Sequence, residues 1–511
     1  MVPFKEEEVV LVRRRPELDS ESDSYEVFSL VEAEAAEDGR DGKGGPKPPF
    51  TLARTLVSTA DLASSWPGHR GFVVDRVPEY LRADTGTSTG TNPYPSRAVH
   101  VLVSTGSGTG RALQFYEAVL EPLLQDALGL VGENWDEKKG GGAKADGGRY
   151  NLVVTTDAQS VCRFAAHDLK PGDTVILLSG DGGFIDILNG DGAQQTVGDS
   201  DEAARVPESA PLVALLPLGT GNALFHSLHK TLRAEMQASG GGEPSGLTQG
   251  LRTLFCTGAP APLPSFVAQF SPGSKLITYK EKRDSDAEPS AKGQELEESD
   301  ELLTSIRGAI VASYGFHSQL VWESDTPAYR RHGAKRFGMA AQELLGESHT
   351  YDAVVEIDEV VQKPSGSADG GVGAQTTSGI VTRVIPNKTH SYYVLATLVS
   401  NMERTFEISP DSRPLDGALR LVHFGTEGVS KGQGVMDIMT AAYDKGRHVR
   451  MPGVGYGEVA RIKVTIREPD PRWRKVCIDG TIVEIPQDGS MTVAVDRRTR
   501  VRVLVDRSII A

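Results

Sequence analysis

Three segments of this 511-residue chain repeat one local pattern, and that pattern limits the fold more than any other feature. Each is an apolar run, a glycine-rich turn and a stretch with apolar residues at helical spacing. They read AVHVLVS into TGSGTG and RALQFYEAVLEPLLQDAL, TVILLS into GDGG and FIDILNG, and PLVALLPL into GTGN and ALFHSLHKTL. A further run, NLVVTT, leads into a helical stretch around DAQSVCRFAAHDL. Fully apolar strands that alternate with helices have no face suited to water. They predict a parallel, doubly wound sheet covered on both sides.

Beyond about residue 258 the texture changes to short alternating segments such as SFVAQF, YYVLATLVS, ALRLVHF, ARIKVTIRE and MTVAVD. That spacing predicts an antiparallel β domain. The expected fold class is therefore α/β plus all-β: an N-terminal doubly wound α/β domain over 96–257, then an antiparallel β-sandwich domain over 258–511. Residues 1–95 are expected to form a partly disordered extension. The polar tracts near 280–301 and 364–379 are expected to be disordered inserts, since such stretches cannot bury enough apolar surface to order themselves.

The formal charge is −15, but it is concentrated. Residues 1–50 hold 7 basic and 13 acidic side chains and residues 281–301 hold 3 and 9, so these two stretches carry −12 and the rest about −3. An acidic chain of this kind is not expected to bind nucleic acid. No run reaches the roughly 18 apolar residues that span a bilayer, and the first residues lack a basic start followed by an apolar stretch. Any membrane contact is expected to be peripheral. Cys162, Cys256 and Cys477 lie far apart without metal-ligand spacing, which predicts reduced thiols in a cytoplasmic setting.

The glycine-rich turns are where chemistry is expected. Glycine lets a backbone approach a phosphate closely, and N–H groups at a helix start present partial positive charge to an anion. The turns are Ser104–Arg111, Ser179–Gly183 and Pro217–Leu228. In the second, Asp181 stands between glycines at a strand's carboxyl end, the place where open α/β sheets bind ligands.

With SGDGGFIDILNG, LLPLGTGNAL, YGF followed by ESDTPAYRRHGAKRF, SPDSRPLDGALRLVHF, DKGRHVRM and VCIDG in this order, the chain from about 98 to 505 resembles the diacylglycerol kinase catalytic-domain superfamily. It resembles the sphingosine kinase and ceramide kinase branch more than the others. The resemblance implies transfer of the γ-phosphoryl group of ATP, with Mg²⁺, to a primary hydroxyl of a membrane lipid: a sphingoid base, a ceramide or a diacylglycerol. It implies an ATP-binding α/β domain, a lipid-binding β-sandwich and an active site in the cleft between them, in a peripheral enzyme of intracellular membranes, and leaves metal ligands and oligomeric state open.

The resemblance also assigns roles. Asp181 takes the position of the general base. Ser104, Gly106, Gly108, Arg111, Ser179, Gly180, Gly182, Gly219, Thr220, Gly221 and Asn222 line the nucleotide, as does Thr155, or Thr156 in an alternative register. Asp186 faces the nucleotide side. Arg330 and Arg336 reach the ATP phosphates, and Asp479 with Gly480 forms a late turn that closes over the nucleotide. Arg331 and Lys335 are read as surface charges.

The chain departs from the family pattern at several of these places. Ser104-Thr105 stands where Asn-Pro is common. Gln319 and Val321 stand where an acidic residue pairs with a substrate amine, with Glu323 and Asp325 as the nearest substitutes. Thr481 stands where that branch has Glu. Two other readings therefore stay open: a family member that binds lipid or nucleotide without catalysis, and an enzyme like the nicotinamide-nucleotide kinases, which share a similar glycine loop.

Overall fold

The computed structural model describes residues 4–15, 24–33, 48–83, 97–134, 148–190, 210–238, 242–279, 296–298, 303–333, 335–347, 349–363, 377–385, 392–425 and 433–510. The chain divides into two compact units. One comprises Met1–Gly190, Ser200–Leu263 and Thr499–Ala511, and the other Asp191–Asp199 and Pro264–Arg498.

In the first unit, strands β1 (Val9–Arg15), β2 (Ser24–Glu32) and β3 (Phe50–Ser58) form an antiparallel sheet. A second sheet contains β4 (Val99–Val103), β5 (Val131–Asn134), β6 (Arg149–Val154), β7 (Thr174–Ser179), β8 (Leu212–Pro217), β9 (Gly258–Pro262) and the last strand of the chain, Arg502–Asp506. Its order is β5-β6-β4-β7-β8, then the last strand, then β9. Every pairing is parallel except that of the last strand with β9.

All residues of β4 and β7 are buried, as their unbroken apolar runs predict. Each buried Val, Leu or Ile contributes about 1.5–3 kcal/mol, so these two strands anchor the unit. From β4 the chain crosses to β5 and β6 on one side, and from β6 it crosses back over β4 to β7 and β8 on the other. The strand order thus reverses between β4 and β7, and in open sheets the crevice beyond the carboxyl ends at such a reversal receives ligands.

The N-terminal sheet is part of this core. Val10, Leu11, Phe28, Leu30 and Phe50 pack in one cluster with Val99, Phe115 and Leu251, and Phe50 meets Phe115 edge-on at 5.1 Å between centroids. Arg252 donates to the Val9 carbonyl at 2.7 Å. The strand-like runs in the first 95 residues are therefore a cover over the helical layer. The polar tracts 16–23, 34–47 and 84–96 lie outside the described residues.

The second unit is built on a curled antiparallel sheet, thirteen-stranded among the described residues. Strand Val454–Ile466 serves both halves. Its first residues pair with Arg420–Phe424, and its later ones with Ala353–Lys363 and Ser490–Asp496. The fold class is thus the expected one, α/β followed by antiparallel β. The last strand, however, returns to the parallel sheet instead of closing the β unit. Of the two polar tracts, Leu296–Glu298 forms a strand on Lys275–Tyr279, and Thr377 opens a strand running to Ile385; residues 280–295 and 364–376 lie outside the described residues.

Candidate functional site

The three glycine loops meet at the reversal between β4 and β7. Hydroxyls join the first two: Ser107 Oγ lies 2.9 Å from Ser179 Oγ, donates to Ser104 Oγ at 2.9 Å, and accepts the Gly180 N–H at 3.4 Å. Beside them the Thr155 hydroxyl accepts the Thr105 N–H at 2.9 Å, and the Thr105 hydroxyl donates to the Thr155 carbonyl at 3.0 Å. Thr105 thus ties the first loop to the end of β6, Ser107 ties it to the end of β7, and Ser104 meets Ser107 within the loop.

The second and third loops touch backbone to backbone. A Cβ on Gly219 would lie 2.3 Å from the Gly180 Cα, one on Gly180 would lie 2.8 Å from the Gly219 Cα, and one on Gly108 would lie 2.3 Å from the Leu218 carbonyl oxygen. These three glycines are needed for loop packing itself. Gly106 and Gly182 are different: a Cβ on either would meet nothing within 4 Å. Their surfaces remain open to a ligand, as does the exposed Thr220. Asn222, in the left-handed region at φ 53°, closes the third loop by accepting the Gly219 N–H at 3.0 Å and donating to the Gly219 carbonyl at 2.9 Å.

Helix α1 (Ser160–His167) follows β6, and α2 (Asp181–Asn189) starts directly at the end of β7. Helix α3 (Ala223–Leu228) follows the third loop, and α4 (Gly246–Arg252) comes later in the same crossover. Asp181 opens α2 and points at the start of α3. Its carboxylate accepts the Ala223 N–H at 2.7 Å and the Leu224 N–H at 3.1 Å. Burial raises its pKa, and the two N–H groups partly offset that rise. The result is a fixed carboxylate of enhanced basicity followed directly by the open Gly182, and fixed basicity is what a general base needs. Asp186, one turn further into α2, is half-buried, and its carboxylate makes no hydrogen bond among the described residues. Burial lifts its pKa to about 6. Arg111, just ahead of the helix after β4, is exposed.

The remaining sequence-predicted residues lie in the second unit. Arg330 holds Asp325 through two bonds of 3.2 and 2.7 Å, and Arg336 reaches the same carboxylate at 3.2 Å. On α5 (Phe316–Ser324), the buried Gln319 donates to Glu323 at 2.7 Å, and Arg472 lies 3.4 Å from that same oxygen. The two nearest substitutes for the family's amine-pairing acid are therefore both engaged. Asp479, at φ 49°, accepts N–H groups from Ala309, Ile310 and Val311, which clamps the turn between two core strands. Its neighbour Gly480, at φ 92°, has open space where a Cβ would stand.

Sequence reasoning missed Ser107, the hydroxyl that links the first two loops. Its signal was a second serine three residues after Ser104 in a loop otherwise read only for its glycines. Among the described residues no group of three or more His, Cys, Asp or Glu could hold a metal ion. No helix among them is long and apolar enough to cross a membrane.

No family model and no curated protein matches the sequence. Three solved structures from Bacillus anthracis str. Sterne, bearing the name diacylglycerol kinase, provisionally in two of them, align over most of the chain. They cover 83, 81 and 81% of this chain and 99, 98 and 98% of their own, at 11, 11 and 10% identity and TM-scores of 0.43, 0.42 and 0.39. Likeness at that level is silent on chemistry, and the reading of function rests on the site's own geometry.

Proposed function

We propose that the chain is an ATP-dependent lipid kinase that transfers the γ-phosphoryl group to a hydroxyl. The placement of Asp181 carries this reading: a desolvated carboxylate, fixed by two main-chain N–H groups, stands at the end of β7 where the glycine loops meet, next in the chain to the open Gly182. Phosphoryl transfer asks little more of a protein than positioned phosphates and a carboxylate near the attacking hydroxyl. The open glycines and Thr220 are the proposed phosphate contacts. Ser104, Ser179, Thr155, Gly108, Gly180, Gly219 and Asn222 hold the loops in place. Mg²⁺ enters as an ion carried by the nucleotide phosphates, which suits a cation usually held by one or two carboxylates and substrate oxygens rather than by a protein cage.

The acceptor is proposed to have an uncharged head, a ceramide or a diacylglycerol in preference to a sphingoid base. Gln319 and Val321 carry no charge, Glu323 is shared by Gln319 and Arg472, and Asp325 is held by Arg330 and Arg336. An ammonium would have to displace one of these partners. The test is purified protein with ATP and Mg²⁺ against a panel of sphingosine, ceramide, diacylglycerol and a nicotinamide dinucleotide. Phosphorylation of a neutral lipid is the expected result, and transfer to none of the lipids defeats the reading.

A further inference from the structure

One cavity of the first unit shares no lining residue with the glycine loops. It has a volume of about 800 Å³ and is walled by the connector 73–83, Arg97, Phe255, Cys256, the first residues of β9 and Arg507. Its charged residues are Arg76, Arg82, Arg97 and Arg507 against Asp75 and Glu79, an excess of two positive charges.

Three of the four guanidiniums are held by main-chain carbonyls. Arg82 donates to Val77 at 3.1 Å, and Arg97 donates to Arg82 at 3.2 Å and also to Glu79. Arg507 donates to Cys256 at 2.7 Å and Thr257 at 3.3 Å. Among the described residues none of the four pairs with a carboxylate. A guanidinium fixed by a carbonyl keeps its other N–H donors in one plane, the fork that matches phosphate oxygens. Burial pushes the Cys256 thiol up to about 12, so it remains an uncharged part of the wall. Val74, Val77 and Phe255 supply an apolar side.

We propose that this cavity binds a phosphomonoester, whose charge near −2 matches the excess of the wall, presented by a soluble ligand or by a lipid headgroup. The site is independent of the kinase reading and of the loops that support it.

Hydrogen exchange on the full chain, with and without inorganic phosphate at constant ionic strength, tests it. Slower exchange is expected in peptides covering 73–83 and 255–260. The dose dependence of that protection should weaken about tenfold or more in Arg76→Gln, the loss of one charge-assisted hydrogen bond. Arg76 is exposed and makes no hydrogen bond among the described residues, so an unchanged melting temperature should accompany the effect. A second arm uses phosphatidylcholine vesicles with and without a phosphomonoester lipid. Protection by inorganic phosphate assigns a free ligand, and protection only by the phosphomonoester vesicles assigns a headgroup; either supports the site. Protection confined to the glycine loops, protection nowhere, or unchanged affinity in Arg76→Gln overturns it.

Discussion

Two carboxylates five residues apart on one helix have opposite local designs. Asp181 is desolvated but hydrogen-bonded by the start of α3, whereas Asp186 is desolvated without a bond among the described residues. Asp186 therefore costs stability when ionised. Its pKa rises from 3.8 to about 6 in the folded chain, so between those values the folded state holds a proton that the unfolded state has released, and stability falls as pH rises through that window. The Asp186→Asn variant should be more stable than the parent by about 2–3 kcal/mol above pH 6, with the difference vanishing below about pH 4, as read by denaturant titration at a series of pH values. Asp181→Asn should behave differently. It keeps an acceptor for one N–H of α3 and should fold, while phosphoryl transfer falls about 10²–10⁴-fold.

At the scale of elements, the glycines separate into two kinds that look alike in sequence. Gly180 and Gly219 form a backbone contact between the loops after β7 and β8, so Gly219→Ala should lower stability by about 1–3 kcal/mol through overpacking. Gly182→Ala meets open space, so it should keep the melting temperature and raise KM for ATP. Thermal melts and steady-state kinetics on the pair distinguish packing from ligand contact. In the second unit, Asp479→Asn should cost about 2–3 kcal/mol, because at least one of the buried N–H groups at 309–311 loses its acceptor. The strands and the position of Asp181 were legible because an unbroken apolar run followed by glycine has few structural solutions. The division among the glycines was not. It depends on which loop faces which, and residues 180 and 219 meet only through strand order. Ser107 was hidden for the same reason, since its partner Ser179 lies 72 positions away.

At the scale of the whole chain, the alternation of strand and helix predicted the parallel sheet, and period-two runs predicted the antiparallel one. The return of Arg502–Asp506 to the first unit was not legible, because a five-residue buried strand carries no mark of the sheet it will join. Nor was the role of β1 to β3, whose short runs stand between polar tracts and acquire meaning only against Phe115 and Leu251. The −15 charge falls largely in 1–50 and 281–301, stretches of sequence that include none of the loops that meet at Asp181. On the function proposed above, these loops and this carboxylate move a phosphoryl group from ATP to a lipid hydroxyl. Transfer of labelled γ-phosphate from ATP to ceramide, diacylglycerol and sphingosine, measured side by side for the parent chain and Asp181→Asn, tests it most directly. Labelled product from a neutral lipid is expected, at least about a hundredfold less of it with the variant. Full activity in Asp181→Asn, or no labelled lipid from the parent chain, would contradict it.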